Sequence, residues 1–235
     1  MREEIREIAG LLTAVVRPEG AAEASVVMLH GYAMQPTDLA PFAHSMKVPA
    51  TFYFPRGPLP AHAQGFAWWP IDVETKNTAL TNGPRDLADA YPAGREAARN
   101  RMQLFLTAIK SDTANCPLIL GGFSQGGMLA CELTLHGICK PAGMMLLSAS
   151  RIALNEWHPR LGTLRDLPSL VSHGRADPDL AYSAGENLRD MLLAANARVT
   201  WIGFDQGHEI PLTVWRAMRR FLAKVIEGHR SQSGE

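Results

Sequence analysis

Short apolar runs alternate along this chain with longer stretches in which apolar residues recur every three or four positions. Ser25-Val-Val-Met-Leu-His30, Thr51-Phe-Tyr-Phe54, Pro117-Leu-Ile-Leu-Gly-Gly122, Ala142-Gly-Met-Met-Leu-Leu147, Pro168-Ser-Leu-Val-Ser172 and residues 198–204 have strand length. Their near-continuous apolar character suits strands buried on both faces. Between them, residues 93–110 carry Ala97, Met102, Phe105, Leu106 and Ile109 at helical spacing, and 125–136, 180–195 and 212–226 read as further helices. Strand and helix in alternation predict a mostly parallel sheet with helices on both faces. The polar tail, residues 227–235, is expected to fray.

Residues 55–92 break the rhythm. They hold Pro55, Pro58, Pro60, Pro70, Pro84 and Pro92, with Phe66, Trp68 and Trp69 in the middle. A long irregular segment in a compact domain usually has work to do, and walling a substrate pocket is the expected role of these aromatics. Filling the edge of the core is the competing one. No repeat or low-complexity linker interrupts the chain, so residues 1–235 are expected to form a single domain.

Bulk properties narrow the partners. A chain of 235 residues that is 46% hydrophobic can cover one good core. Its 23 basic and 23 acidic residues balance, which leaves no broad field to gather nucleic acid or an acidic membrane surface. Cys116, Cys131 and Cys139 make neither a disulfide framework nor a metal-ligand spacing. The first eight residues are charged, without a signal peptide's apolar run, and no apolar stretch reaches membrane-spanning length. A cytoplasmic protein without stable membrane insertion, acting on small molecules, is the expectation.

The chemistry gathers where strands end. Gly122-Phe-Ser124-Gln-Gly126 is a G-x-S-x-G pattern placed directly after a buried strand and before a helix. A nucleophile raised on so sharp a turn needs small neighbours, and the following helix points its free N–H groups at the developing charge. Serine also needs a base and an orienting acid, which in such sheets follow in the order Ser, acid, His. Asp177, in Gly174-Arg-Ala-Asp177-Pro178, and His208, in Gly207-His208, follow later strands at spacings of 177 − 124 = 53 and 208 − 177 = 31 residues. His136 and His173 compete less well, one inside the helix behind the serine and the other ahead of the acid. Asp179 is expected to start the next helix as a cap, and Asp205 to end a strand. The oxyanion donors expected are the backbone N–H groups of Gln125, next to the nucleophile, and Tyr32, freed by the turn at Gly31.

Met28-Leu-His-Gly31, Leu120-Gly-Gly-Phe-Ser-Gln-Gly-Gly127, Ser172-His-Gly-Arg-Ala-Asp-Pro178 and Gly207-His208 together resemble the phospholipase/carboxylesterase group of small α/β-hydrolases, which includes acyl-protein thioesterases. The resemblance runs from about residue 24 to 226. It implies an α/β-hydrolase fold, a Ser124–Asp177–His208 triad, an oxyanion hole from Tyr32 and Gln125, and hydrolysis of esters or thioesters with no metal or cofactor. Tyr32-Ala-Met stands where the family often has Leu-Gly-Asp, and Trp68-Trp-Pro-Ile-Asp72 only loosely follows its Trp-Phe-Asp element. Both departures bear on the acyl pocket.

The expected reaction is hydrolysis of small to medium carboxylic esters through an acyl-enzyme. Residues 145–167 leave no room for a large lid domain. Long-chain thioesterase or lysophospholipase activity is the alternative within the same chemistry, and acyl transfer to an alcohol or peroxide would use the same residues. A slow, ligand-binding receptor on the same fold is the alternative outside it.

Overall fold

A computed structural model of the chain describes residues 1–110 and 116–233. Its main sheet runs in the order β1 (Arg2–Ile8), β2 (Leu11–Arg17), β4 (Ala50–Pro55), β3 (Ala24–Leu29), β7 (Leu118–Phe123), β8 (Gly143–Leu147), β9 (Pro168–Gly174) and β10 (Arg198–Phe204), while β5 (Leu59–Pro60) and β6 (Phe66–Ala67) pair as a separate ribbon. The central strands are β3, β7, β8 and β9, with β4 and β10 outside them. These six pair parallel, while β2 pairs antiparallel with β4 and with β1. This is the mostly parallel, doubly covered sheet expected from the alternation.

Side chains along each strand point alternately to two cores. Val27, Leu29 and Leu120 join a core capped by α3 (Arg95–Ala108), α4 (Gln125–Leu135), the single turn α5 (Leu154–Trp157) and α6 (Tyr182–Ala194). Val26, Met28 and Ile119 join the opposite core, covered by α1 (Ala40–Met46) and α7 (Leu212–Ser233).

Several elements depart from the sequence expectation. The β1 strand is charged along most of its length and buries only Ile8, so it shows no apolar run. Charge suits an edge strand, since it discourages pairing with another chain. The α2 helix (Val73–Leu80), inside the segment expected to be irregular, buries no residue and shows no apolar stripe. Its signal is a cap: the Asp72 carboxylate accepts the N–H groups of Glu74 and Thr75 at 3.1 and 3.3 Å. The final helix does not fray at 227 but runs to Ser233. No helix among the described residues is long and apolar enough to cross a membrane.

Because β4 and β7 flank β3 on opposite sides, the chain turns away in two directions at the carboxyl ends of β3 and β7. Open α/β sheets bind their ligands at such a switch point. Residues 30–32 and Ser124 lie there.

Candidate active site

Ser124 occupies the turn between β7 and α4 with φ 53° and ψ −118°. A left-handed φ is rare for a residue with a side chain and costs on the order of 1–3 kcal/mol, which the surroundings must hold in place. The Ser124 N–H is fixed to the Leu147 carbonyl at 2.8 Å. A side chain at Gly122 would strike the backbone of Gly126, and one at Gly126 would strike the Leu29 carbonyl. The two glycines of the pattern are therefore demanded by contact: strand, helix and β3 meet there with no space for a Cβ. Ser124 stands at the first turn of α4, where unpaired N–H groups concentrate positive potential.

Asp177 lies in the loop after β9 and His208 in the loop after β10. The two loops are joined by the N–H groups of Arg175 and Ala176, which donate to Phe204 and Gln206 at 2.7 and 3.2 Å. Asp177 Oδ2 meets His208 Nδ1 at 2.6 Å, and Oδ1 accepts the N–H groups of Asp179 and Leu180, both at 2.9 Å. Burial pushes the Asp177 carboxyl pKa up, but the bonds from His173, His208 and Leu180 outweigh it and hold the group well below the usual carboxylate range. The His208 ring lies on Phe123, centroids 4.8 Å apart and planes tilted 46°, which brings the imidazole to the residue before Ser124.

His173 is fully buried beneath this pair. Its Nε2 donates to the Leu180 carbonyl at 3.1 Å and lies 3.4 Å from Asp177 Oδ2, so it supports the carboxylate and has no path to substrate. Asp179 does not start a helix, because Asp177 supplies the turn's acceptor and α6 begins only at Tyr182. The Asp179 carboxylate instead takes both Lys76 and Arg85, which ties α2 and the segment after it to the loop of Asp177.

Tyr32 follows His30 and Gly31 at the end of β3, its ring edge-on to His62 at 5.4 Å. Among the described residues, neither the N–H of Tyr32 nor that of Gln125 donates within the chain. The Gln125 side chain is buried, and its carboxamide grips the neighbouring loop. Oε1 accepts the Trp68 N–H and Nε2 donates to the Trp69 carbonyl, both at 2.9 Å. The Trp68 indole N–H donates to the His30 carbonyl at 2.9 Å.

Trp68 and Trp69 are 1% and 3% exposed and join the core on the α3 side of the sheet. Phe66 is half-buried, pairs its backbone with Ala33 and Met34, and lies under the Arg56 guanidinium at 4.3 Å. His30, which the sequence offered only as part of a motif, is buried. Its Nδ1 donates to the Gly31 carbonyl at 2.7 Å, and its Nε2 accepts the Gly57 N–H at 2.8 Å. Burial pushes its pKa down to about 4. In the sequence both His30 and His173 stand in a His-Gly pair at the end of a buried strand, which does not disclose the supporting contacts they make.

No cluster of His, Cys, Asp or Glu among the described residues could hold a metal ion. A cleft of about 650 Å³ opens at the other end of the sheet, between Thr134–Ala142 and Gly162–Pro168, far from these strand ends.

Comparison with known proteins converges on one family. The model of the phospholipase/carboxylesterase family matches residues 12–226. The chain belongs to that family. Acyl-protein thioesterase 1 of Neurospora crassa is 31% identical over 113 residues, which is 46% of each protein, so the match spans a little under half of that relative. The crystal structure of esterase PE8 superposes with a TM-score of 0.76 at 24% identity, covering 92% of this chain and 99% of the other. Acyl-protein thioesterase 2 of Zea mays gives 0.68 at 22% identity, covering 91% and 98%. At such identities the two structures establish the shared α/β-hydrolase fold.

Proposed function

We propose that this chain is a serine esterase that hydrolyses small to medium carboxylic esters through an acyl-enzyme, with Ser124 as nucleophile, His208 as base and Asp177 as the acid. The observation that carries the reading is the 2.6 Å contact of Asp177 Oδ2 with His208 Nδ1, the ring lying on Phe123 beside the strained Ser124. Asp177 keeps the proton on Nδ1 and leaves Nε2 free to accept. Nε2 takes the Ser124 hydroxyl proton as Oγ bonds to the substrate carbonyl carbon. The N–H groups of Tyr32 and Gln125 receive the negative oxygen. Collapse breaks the bond to the alcohol, which leaves with the proton from His208. Water, deprotonated by His208, then releases the acid and restores Ser124.

A fluorophosphonate probe tests the assignment. It should label Ser124 in the wild type and nothing in Ser124→Ala; a label that persists in the variant moves the nucleophile elsewhere.

The partial match to a protein named acyl-protein thioesterase 1 favours a second reading, thioesters or long acyl chains on the same machinery. A panel of matched esters and thioesters compared by kcat/KM separates the two.

A further inference from the structure

The mechanism uses the backbone N–H of Gln125 and has no use for its side chain. Yet that side chain is a carboxamide buried to 2% exposure beside the nucleophile, where an apolar residue would have no desolvation penalty. Its two polar ends meet two backbone groups of one loop, the Trp68 N–H and the Trp69 carbonyl. The same loop reaches the other donor segment twice. The Trp68 indole N–H bonds the His30 carbonyl, and the Gly57 N–H bonds His30 Nε2. The Trp68 and His30 rings also lie together, centroids 5.2 Å apart.

We propose that Gln125 is a positioning residue for the oxyanion hole: its carboxamide and His30 clamp the 57–69 loop between them, so that the N–H groups of Tyr32 and Gln125 are held at a fixed separation. The inference rests on the serine esterase reading given above.

The two donors come from the ends of different strands, β3 and β7. The sheet aligns those strands, but each donor lies beyond its strand end, in a turn that the ladder no longer holds. A bridge bonded to both turns removes that freedom before substrate arrives, which is where preorganised donors gain their effect. The ring closes in one arrangement only. His30 must be neutral with its proton on Nδ1, so that Nε2 can accept from Gly57; its lowered pKa keeps it so. Gln125 must present its oxygen to Trp68 and its nitrogen to Trp69, and no reversal satisfies both.

The experiment compares wild type, Gln125→Met and Gln125→Glu at a temperature where circular dichroism shows each folded. Methionine keeps the volume and loses both hydrogen bonds. Glutamate keeps the acceptor for Trp68, loses the donor for Trp69, and serves if the methionine variant does not fold. With p-nitrophenyl butyrate, kcat should fall about 10–100-fold in either variant while KM stays within about threefold, since an error of an ångström in donor placement costs that much. An alkyl boronic acid, whose serine adduct mimics the tetrahedral intermediate, should weaken by the same factor as kcat/KM. A merely structural role would lower the melting temperature and leave kcat and boronate affinity in place; that result, or a loss confined to KM, overturns the proposal. Fluorophosphonate labelling of wild type separates the two failures. An unlabelled Ser124 removes the esterase reading and this inference with it, whereas a labelled Ser124 with unchanged variants removes the inference alone.

Discussion

Replacing Asp177 by asparagine is the sharpest test of the acid, because the structure dictates how the amide would settle. The carboxylate has two jobs. Oδ1 accepts the N–H groups of Asp179 and Leu180, and Oδ2 faces His208 Nδ1 and His173 Nε2. An asparagine has one acceptor oxygen. Placing it at the Oδ2 position would turn an NH2 group against two backbone N–H donors in a buried turn, at a cost of about 1–3 kcal/mol for each donor left unsatisfied. Placing it at Oδ1 keeps both backbone bonds and points the NH2 at His208. That second arrangement wins. It then requires His208 to accept on Nδ1 and carry its proton on Nε2, the nitrogen that should take the serine proton. Wrong-tautomer losses of this kind reach about 10⁴ in kcat. We therefore expect Asp177→Asn to lower kcat by about 10²–10⁴, roughly 3–5 kcal/mol of barrier, with the fold intact. Asp179→Asn disturbs the Lys76 and Arg85 pairs and leaves the His208 contact alone, so it should change kcat less than about tenfold, on the scale of a partly exposed ion pair. Steady-state kinetics on a p-nitrophenyl ester, with circular dichroism of each variant, decides the matter. If Asp177→Asn stays within tenfold of wild type, or Asp179→Asn is the worse of the two, the assignment of the acid is wrong.

His30 titrates in the unfolded chain at about pH 6.5 but is held to about 4 when folded, so its contribution to stability is complete above 6.5 and is lost as pH falls towards 4. Melting temperature should drop across that window in the wild type and drop less in His30→Gln; identical slopes would refute the role given to the buried ring. For p-nitrophenyl esters, kcat/KM should rise about fourfold per methylene over the first few acyl carbons, peak at short to medium length and fall for long chains. Phe66→Ala should move the peak towards longer chains, whereas Trp69→Ala, which empties a buried site, should cost about 3–5 kcal/mol of stability. A wild-type optimum at long chains would favour the thioesterase reading.

What the sequence disclosed follows from where information is local. The β3, β7 and β8 strands are apolar on both faces, so their burial is written in consecutive residues. The turn at Ser124 is likewise local: Gly122 and Gly126, on either side of it, answer to contacts within a few residues and with the strand next door. Elements that bury one face weakly, such as β1 and α2, left no such trace. The site's supports are harder to read because their partners are remote. Gln125 bonds residues 57 and 56 positions away, and His30 bonds Gly57 across 27. Nothing in a tryptophan pair reveals which way the rings face, and a loop rich in proline and aromatics looks the same whether it walls a pocket or ties two turns together. Only the fold shows Trp68 and Trp69 buried, with their backbone bonded to Gln125. Part of the loop pairs with itself, Leu59–Pro60 against Phe66–Ala67, and its other bonds go out to His30 and Gln125, residues that no local pattern connects to it.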